Sequence, residues 1–244
     1  MKSVNIVLGL VASFVLFLGS CNKDSMCVSG EGNIETRTIN VASFTEIDLQ
    51  EAANVRIHQG NEYDVVVMGH SNIIDILETD VSGDRWEIEF NKNCVNDYDL
   101  TIDITIPILQ EIVLSGSGNV WIDDFEANNQ LELTISGSGD IDMNSFSNMA
   151  NFRALISGSG NVTAYKAIPS VNNSDLHISG SGNIRTFNLT AENTDVLISG
   201  SGNIETTTQN NLDVRISGSG NVFYKGFPGI NTDISGSGNL VNSN

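Results

Sequence analysis

Basic residues are scarce. Eleven Lys and Arg stand against 30 Asp and Glu in 244 residues, a formal charge of −19. A phosphate backbone is held by a Lys/Arg surface, so nucleic acid is excluded as a partner. Electrostatic docking on anionic lipid is excluded for the same reason. Histidine is rarer still, at three residues. A nucleophilic serine needs a base within hydrogen-bond reach and a group to orient that base. Of His58, His70 and His177, only His177 lies near a serine-rich turn, two residues before Ser179, and strand alternation points it outward. Serine catalysis is therefore set aside. Cysteine is limited to Cys21, Cys27 and Cys94.

The first of these cysteines closes a targeting segment. Met1 and Lys2 supply a positive start, Val4 to Leu18 an apolar run, and Leu18-Gly19-Ser20-Cys21 the end of it. A short apolar run before small residues is a secretory signal and too short for a spanning helix. Leu-Gly-Ser-Cys resembles a bacterial lipobox, in which Cys21 becomes the lipidated first residue. Residues 1–20 are then a signal peptide and 21–29 a lipidated flexible tether. Removal of 1–20 takes Lys2 and no acid, leaving a charge of about −20. Asn22-Lys23-Asp24-Ser25 resembles the surface-export tag of Bacteroidetes-type lipoproteins, and Asp24-Ser25-Met26 the O-glycosylation triplet of that phylum. The expected location is the outer membrane, at the cell surface or the periplasmic face. In that oxidising compartment Cys27 and Cys94 can pair as a disulfide or stand as two independent thiols.

One short phrase dominates the rest. Ser-Gly-Ser-Gly begins at Ser115, Ser136, Ser157, Ser179, Ser199, Ser217 and Ser235, at intervals of 18 to 22 residues. Asn follows in six copies and Asp140 in the other. Leu or Ile precedes every copy, and two residues earlier stand Ile112, Leu133, Ala154, Leu176, Val196, Val214 and Thr232. The column between them is mixed. This is period-two alternation: strand, turn, strand, then a variable return loop. So short a repeat cannot bury its own apolar face, and stacking on its neighbours buries it. The fold class is all-β, a β-solenoid with Ser-Gly-Ser-Gly corners.

The corner chemistry fits that role. Glycine permits close backbone approach, which assigns a structural part to Gly116, Gly118, Gly137, Gly139, Gly158, Gly160, Gly180, Gly182, Gly200, Gly202, Gly218, Gly220, Gly236 and Gly238. Stacked Asn amides would form a hydrogen-bonded ladder. Residues 30–241 read as one solenoid domain, with 30–110 as its N-terminal portion and 111–241 as the repeats. Strands are expected over 34–41, 45–49, 54–58, 63–68, 85–90 and 100–106, a short helix capped by Ser71 over 71–77, and a turn over 82–84. Ser29-Gly30-Glu31-Gly32-Asn33-Ile34 reads as a degenerate first corner. This portion is expected to continue the stack and cover its end.

The run NVRIHQGNEYDVVVMG (54–69), then Ile73 to Thr79, then Ile106-Pro107-Ile108-Leu109 leading into the glycine turns, resembles the autotransporter adhesin head GIN domain family. The resemblance covers about residues 30–241. It implies a right-handed β-helix similar to pectin lyases, envelope proteins of Bacteroidetes type, no recognised catalytic residues and a role in adhesion.

Three chemistries remain to be weighed on the residues themselves. Polysaccharide hydrolysis needs two carboxylates across a cleft; Asp123, Asp124, Asp142 and Glu205 are candidates, with Arg185 among them. One exposed column reads Trp121, Asp142, Thr163, Arg185, Glu205, Phe223. Aromatic, acidic and basic groups in one column suit sugar binding, and also an ordinary solvated sheet face. Calcium in the turns is disfavoured, because Asn offers a neutral oxygen and little pull on a divalent cation. A better cation candidate lies four residues before each turn, where Asp175, Asp195 and Asp213 stack about 4.8 Å apart. They splay, share a cation such as Ca²⁺, or raise their pKa values. The reading is a lipid-anchored, non-catalytic binding module, adhesin-like, without a required cofactor. Its expected partners are the membrane through the lipid and a surface glycan or host protein. A carbohydrate-active enzyme and a purely structural envelope protein are the alternatives.

Overall fold

A computed structural model describes residues 27–126 and 129–244. The signal segment, Cys21 and the export tag lie outside the described residues. The described chain is all strands and the corners and loops that join them, apart from one helical turn at Ser71–Ile74.

Each repeat is one coil. The strands that precede the corners stack in parallel as Glu111–Leu114, Gln130–Ile135, Asn151–Ile156, Ile168–Ile178, Ile184–Ile198, Ile204–Ile216 and Gly229–Ile234. The strands that follow them stack likewise, from Asn119–Ile122 through Ile141–Met143 and Val162–Ala164 to Val222–Lys225 and Leu240–Asn242. The alternation in sequence becomes an inside and an outside. Leu114, Ile135, Ile156, Ile178, Ile198 and Ile216 form one buried column, and Val120, Ile141, Val162, Ile184, Ile204 and Val222 face it across the core. Burying one such side chain contributes about 1.5–3 kcal/mol, and each column adds one per coil.

The corners bind coil to coil. Ser136 N–H donates to the Leu114 carbonyl at 3.0 Å and Ser138 N–H to the Gly116 carbonyl at 3.2 Å, and the same pair recurs up the stack. A Cβ placed on Gly160 would sit 1.8 Å from the carbonyl oxygen of Gly139. Backbone occupies the space that any side chain would need, so glycine is required at this position. The expected Asn ladder is present. Asn161 Oδ1 accepts both the backbone N–H and the Nδ2 of Asn183, at 3.1 and 2.9 Å, and the rungs at Asn203, Asn221 and Asn239 repeat the pattern. Asp140 fits as an acceptor for Asn161 N and Nδ2.

Return segments differ from the expectation of loops. In the three later coils the strands Ile168–Ile178, Ile184–Ile198 and Ile204–Ile216 run from one corner towards the next, bent by register shifts such as that between Thr186 and Thr190. The coils of Ile184–Ile198 and Ile204–Ile216 span intervals of 20 and 18 residues, which leave little slack, and Ile168–Ile178 joins the ladder in an interval of 22. The two early repeats of 21 residues keep loops there, and they stack Phe125 on Phe146 with ring centroids 5.4 Å apart.

The N-terminal portion joins the stack out of sequence order. Glu46–Leu49 pairs with Glu111–Leu114 on one side and with Arg85–Ile88 on the other. Asn54–Gln59 sits between Asn119–Ile122 and Leu100–Ile106 in the same way. The chain thus builds the second coil, then the outer one, and crosses back through Pro107–Gln110. The degenerate corner is therefore Gln50-Glu51-Ala52-Ala53-Asn54, in register with Ser115 to Asn119. The expectation that it lay at residues 29–34 is corrected: Ile34–Thr38 is instead an antiparallel partner of Asp64–His70, which pairs antiparallel with Leu100–Ile106. A second correction concerns the helix. Ser71 is its first residue rather than its cap, and His70 at the cap makes no side-chain bond to the helix, its Nδ1 lying 3.0 Å from the Gly32 carbonyl instead. Only one turn forms, because the chain turns back at Leu77 to bridge Phe90.

Cys27 and Cys94 are bonded across 67 residues of sequence. Val28–Ser29 pairs with Val95–Asn96, and Asn72 Nδ2 donates to the Ser29 carbonyl at 2.7 Å. Cys27, Val28 and Ser29, expected in the tether, are thus tied to the body.

Candidate functional site

The face outside the strands that follow the corners carries the candidate column. Register places Asp103, Arg56, Trp121, Asp142, Thr163, Arg185, Glu205, Phe223 and Val241 in line, one per coil. Strand alternation turns all of them away from the core. Trp121 is 39% exposed. Two residues further along runs a parallel set, His58, Asp123, Asn144, Tyr165, Phe187, Thr207 and Lys225, of which the sequence had pointed only to Asp123 as a candidate acid and to His58 as a histidine to be weighed as a base. Tyr165 is 61% exposed and Lys225 Nζ lies 4.3 Å from the centre of the Phe187 ring. The signal for Tyr165 was in the sequence, since it stands two places after Thr163 and alternation returns it to the same face.

Asp142 is the hub of this surface. It accepts hydrogen bonds from the Tyr165 phenol and the Thr163 hydroxyl. Partial burial is the main cause that raises its pKa above 3.8, with the Asp140 charge adding to it; Tyr165, Thr163 and Arg185 oppose the rise. The same carboxylate raises the Tyr165 pKa. Trp121 and Tyr165 stand two coils apart, about 10 Å by strand spacing. Two rings with a carboxylate on the coil between them and a guanidinium on the coil beyond can stack on a ligand's apolar faces and hydrogen-bond its hydroxyls.

The carboxylates proposed for hydrolysis do not oppose one another across a cleft. Asp124 is bound by Lys166 Nζ at 2.8 Å and by the Ser145 hydroxyl and amide, and these hydrogen bonds, Lys166 first, hold its pKa down at about 2. Asp123 meets His58 Nδ1 at 2.6 Å. Asp142 and Glu205 share one flat column. His177, the histidine nearest a corner, is paired through Nε2 with Asp175 at 2.7 Å.

The stacked acids lie on the other face, outside the strands that precede the corners. Asp175, Asp195 and Asp213 are direct neighbours in register. Each leans on a different partner. Asp175 meets Arg153 Nε at 3.1 Å and His177; Asp195 lies 3.7 Å from Arg215; Asp213 accepts from Asn231 Nδ2 at 2.7 Å. Among the described residues no group of three His, Cys, Asp or Glu is arranged to hold a metal ion. Arg153 also reaches Glu132 at 3.4 Å, and this chain of charges rims a depression of about 220 Å³ that includes Phe152, Asn151 and Asn173. A second Asn ladder crosses it, Asn173 Nδ2 donating to Asn151 Oδ1 at 3.1 Å.

Comparison with known proteins follows this geometry. No curated protein matches the chain. A crystal structure of a "putative adhesin" from Bacteroides fragilis is similar at TM-score 0.82 and 25% identity, over 88% of this chain and all of that one. A "putative lipid binding protein" from Parabacteroides distasonis matches at TM-score 0.70 and 25% identity, over 90% of this chain and all of its own. A "putative adhesin" from Parabacteroides merdae shares the fold at TM-score 0.71 and 20% identity, over 90% of this chain and all of its own. The family model described as "Putative auto-transporter adhesin, head GIN domain" matches residues 43–228, from the start of the second coil almost to the last, and the chain belongs to that family.

Proposed function

We propose that this chain is a non-catalytic binding module of the cell envelope, held by a lipid on Cys21, and that it takes glycans on the face around Trp121 and Tyr165. The observation that carries the reading is the placement of two exposed aromatic rings on one rigid sheet, with Asp142 and Arg185 between and beside them. Aromatic rings exposed on rigid strands bind at low conformational cost, and the polar groups set orientation. Membership in an adhesin family supports surface recognition. Attachment is assigned to the lipid because Leu18-Gly19-Ser20-Cys21 ends the apolar run; among the described residues no helix is long and apolar enough to cross a membrane.

The relative described as lipid binding raises a second ligand class. The interior here is filled by columns of buried side chains, which leaves the surface as the place for any ligand. The test is a glycan and matrix-protein array probed with the mature chain, with and without Ca²⁺. A saturable hit weakened about tenfold or more in Trp121→Ala and Tyr165→Ala, as expected for loss of one stacking ring in a contact worth 1–3 kcal/mol, supports the reading. Binding that is indifferent to both substitutions moves the site elsewhere. A blank array from folded protein removes glycan recognition.

A further inference from the structure

The two ends of the stack are finished differently. At the first coil every edge is managed. Leu100–Ile106 is covered by Asp64–His70 and then by Ile34–Thr38, whose short edge carries Glu35 and Arg37. Arg85–Ile88 is covered by Val81–Ser82. Charges and short strands are the ordinary guards of a sheet edge. The last coil has no such covering strand among the described residues. Gly229–Ile234 pairs on its inner side with Ile204–Ile216, and Leu240–Asn242 with Val222–Lys225, and among the described residues no strand lies on the outer side of either. Ile230 and Ile234 are 44% and 40% exposed, although the same columns are buried in the coils beneath them. Residues 229–244 carry one charged side chain, Asp233, in a protein of charge −19.

We propose that this open coil is the contact through which two copies of the chain pair end to end. A second copy is the occupant that fits. Its own last coil offers the same free edge, nearly uncharged, so repulsion between two acidic molecules is smallest there. Stacking of a last coil on another copy's first coil is blocked by the antiparallel cover at that end. The remaining arrangement is isologous and closes at two subunits. A two-fold axis through Thr232 sets two of these strands, Gly229–Ile234, antiparallel. Thr232 then faces the partner's Thr232, and Ile230 faces the partner's Ile234, which buries both exposed isoleucines and continues the core column into the second molecule.

Sedimentation equilibrium on the mature chain carrying Cys21→Ser tests this over a concentration series. The expected mass rises to twice that of the monomer and stops there. Thr232→Lys, at a position already exposed in one copy, is expected to hold the mass at the monomer value with an unchanged circular dichroism spectrum. Thr232→Cys is expected to cross-link under oxidation, because facing Cα atoms in an antiparallel pair lie about 4.5–5.5 Å apart, within disulfide reach. Thr163→Cys, on the flat outer face, is the uncrosslinked control. A monomer at every concentration with no cross-link at Thr232→Cys overturns the proposal, and so does growth beyond two copies. Glycan binding and its loss in Trp121→Ala are read on a different face, so either result leaves the other standing.

Discussion

At the residue scale the molecule is organised by what a corner can accept. Glycine is required where the carbonyl of the coil beneath occupies the place of a Cβ. Asparagine is favoured at the next place because it is both donor and acceptor: Oδ1 takes the amides of the following rung while Nδ2 gives to the preceding one. Asp140 keeps the first half of that exchange and lacks the second. It accepts from Asn161 at 2.7 and 2.8 Å, and its own backbone N–H still reaches Asn119 Oδ1 at 3.1 Å. The ladder therefore tolerates one carboxylate but not two in succession. Asn161→Asp would remove the Nδ2 donor to Asp140 and set a second negative charge one coil away. The expected loss is about 2 kcal/mol, one part from the missing hydrogen bond and one from repulsion. The double variant Asn161→Asp with Asp140→Asn should recover most of it, because the neighbouring charge is gone. Urea denaturation of the four proteins gives the coupling directly. Additive losses would mean that the two rungs do not interact.

At the scale of the element, the second coil shows what happens when the repeated corner has no corner of the outer coil stacked on it. The wide loop between Ile88 and Leu100 leaves Gln50 to Asn54 without a stacked corner, so the glycines of the motif are not needed and Ala53 is buried in the place of Gly118. The amide of Ala52 has no carbonyl above it to bond. Tyr98 takes its place: the Ala52 N–H donates to the phenol oxygen at 3.2 Å and the phenol donates to Glu51 at 3.1 Å. Tyr98→Phe should cost about 1–3 kcal/mol by orphaning that donor. The pH dependence is also defined. Burial, chiefly, pushes the Tyr98 pKa from 10.0 to about 12. The folded state then holds its proton where the unfolded state has lost it. Stability is full below pH 10 and falls as pH rises towards 12. The Phe variant should lack that slope, and an equal slope in both proteins would assign alkaline sensitivity to other groups. The same coil marks the limit of sequence reading. Seven corners and their buried columns were legible because period and glycine agree. Gln50 to Asn54 was not, because the physical need for glycine is absent there. The outward step from Asn54–Gln59 to Arg85–Ile88 and back was not legible either, since each strand alternates identically whichever neighbour it takes. The column from Trp121 to Phe223 could be read in register because it sits at a constant offset from the corners, whereas Tyr165 belongs to the next position along and has no aromatic counterpart at Asp123 or Asn144.

At the scale of the whole molecule, Cys27 and the open edge lie at opposite ends. Cys27 is bonded to Cys94 in the outermost coil, beside the strand pair Val28–Ser29 and Val95–Asn96, at the covered end. Gly229–Ile234 is the last strand of the stack. A lipid on Cys21 would hold the covered end towards the membrane and present the bare coil outward. Two copies paired through their last coils carry their tethers at the far ends of the assembly, so the pairing joins facing surfaces more readily than neighbours on one surface. Many weak contacts between two such surfaces act together, and their combined strength exceeds that of a single pair by roughly 10²–10⁴-fold. Vesicles loaded with the lipidated mature chain should therefore aggregate, and dynamic light scattering should report the growth. Thr232→Lys on the same vesicles should leave them dispersed while protein loading is unchanged. Trp121→Ala should aggregate them as the natural chain does, because the glycan face takes no part. Aggregation that survives Thr232→Lys would place the adhesive contact away from the last coil, and dispersed vesicles bearing a chain already shown to dimerise in solution would mean that the tether does not hold the coil outward.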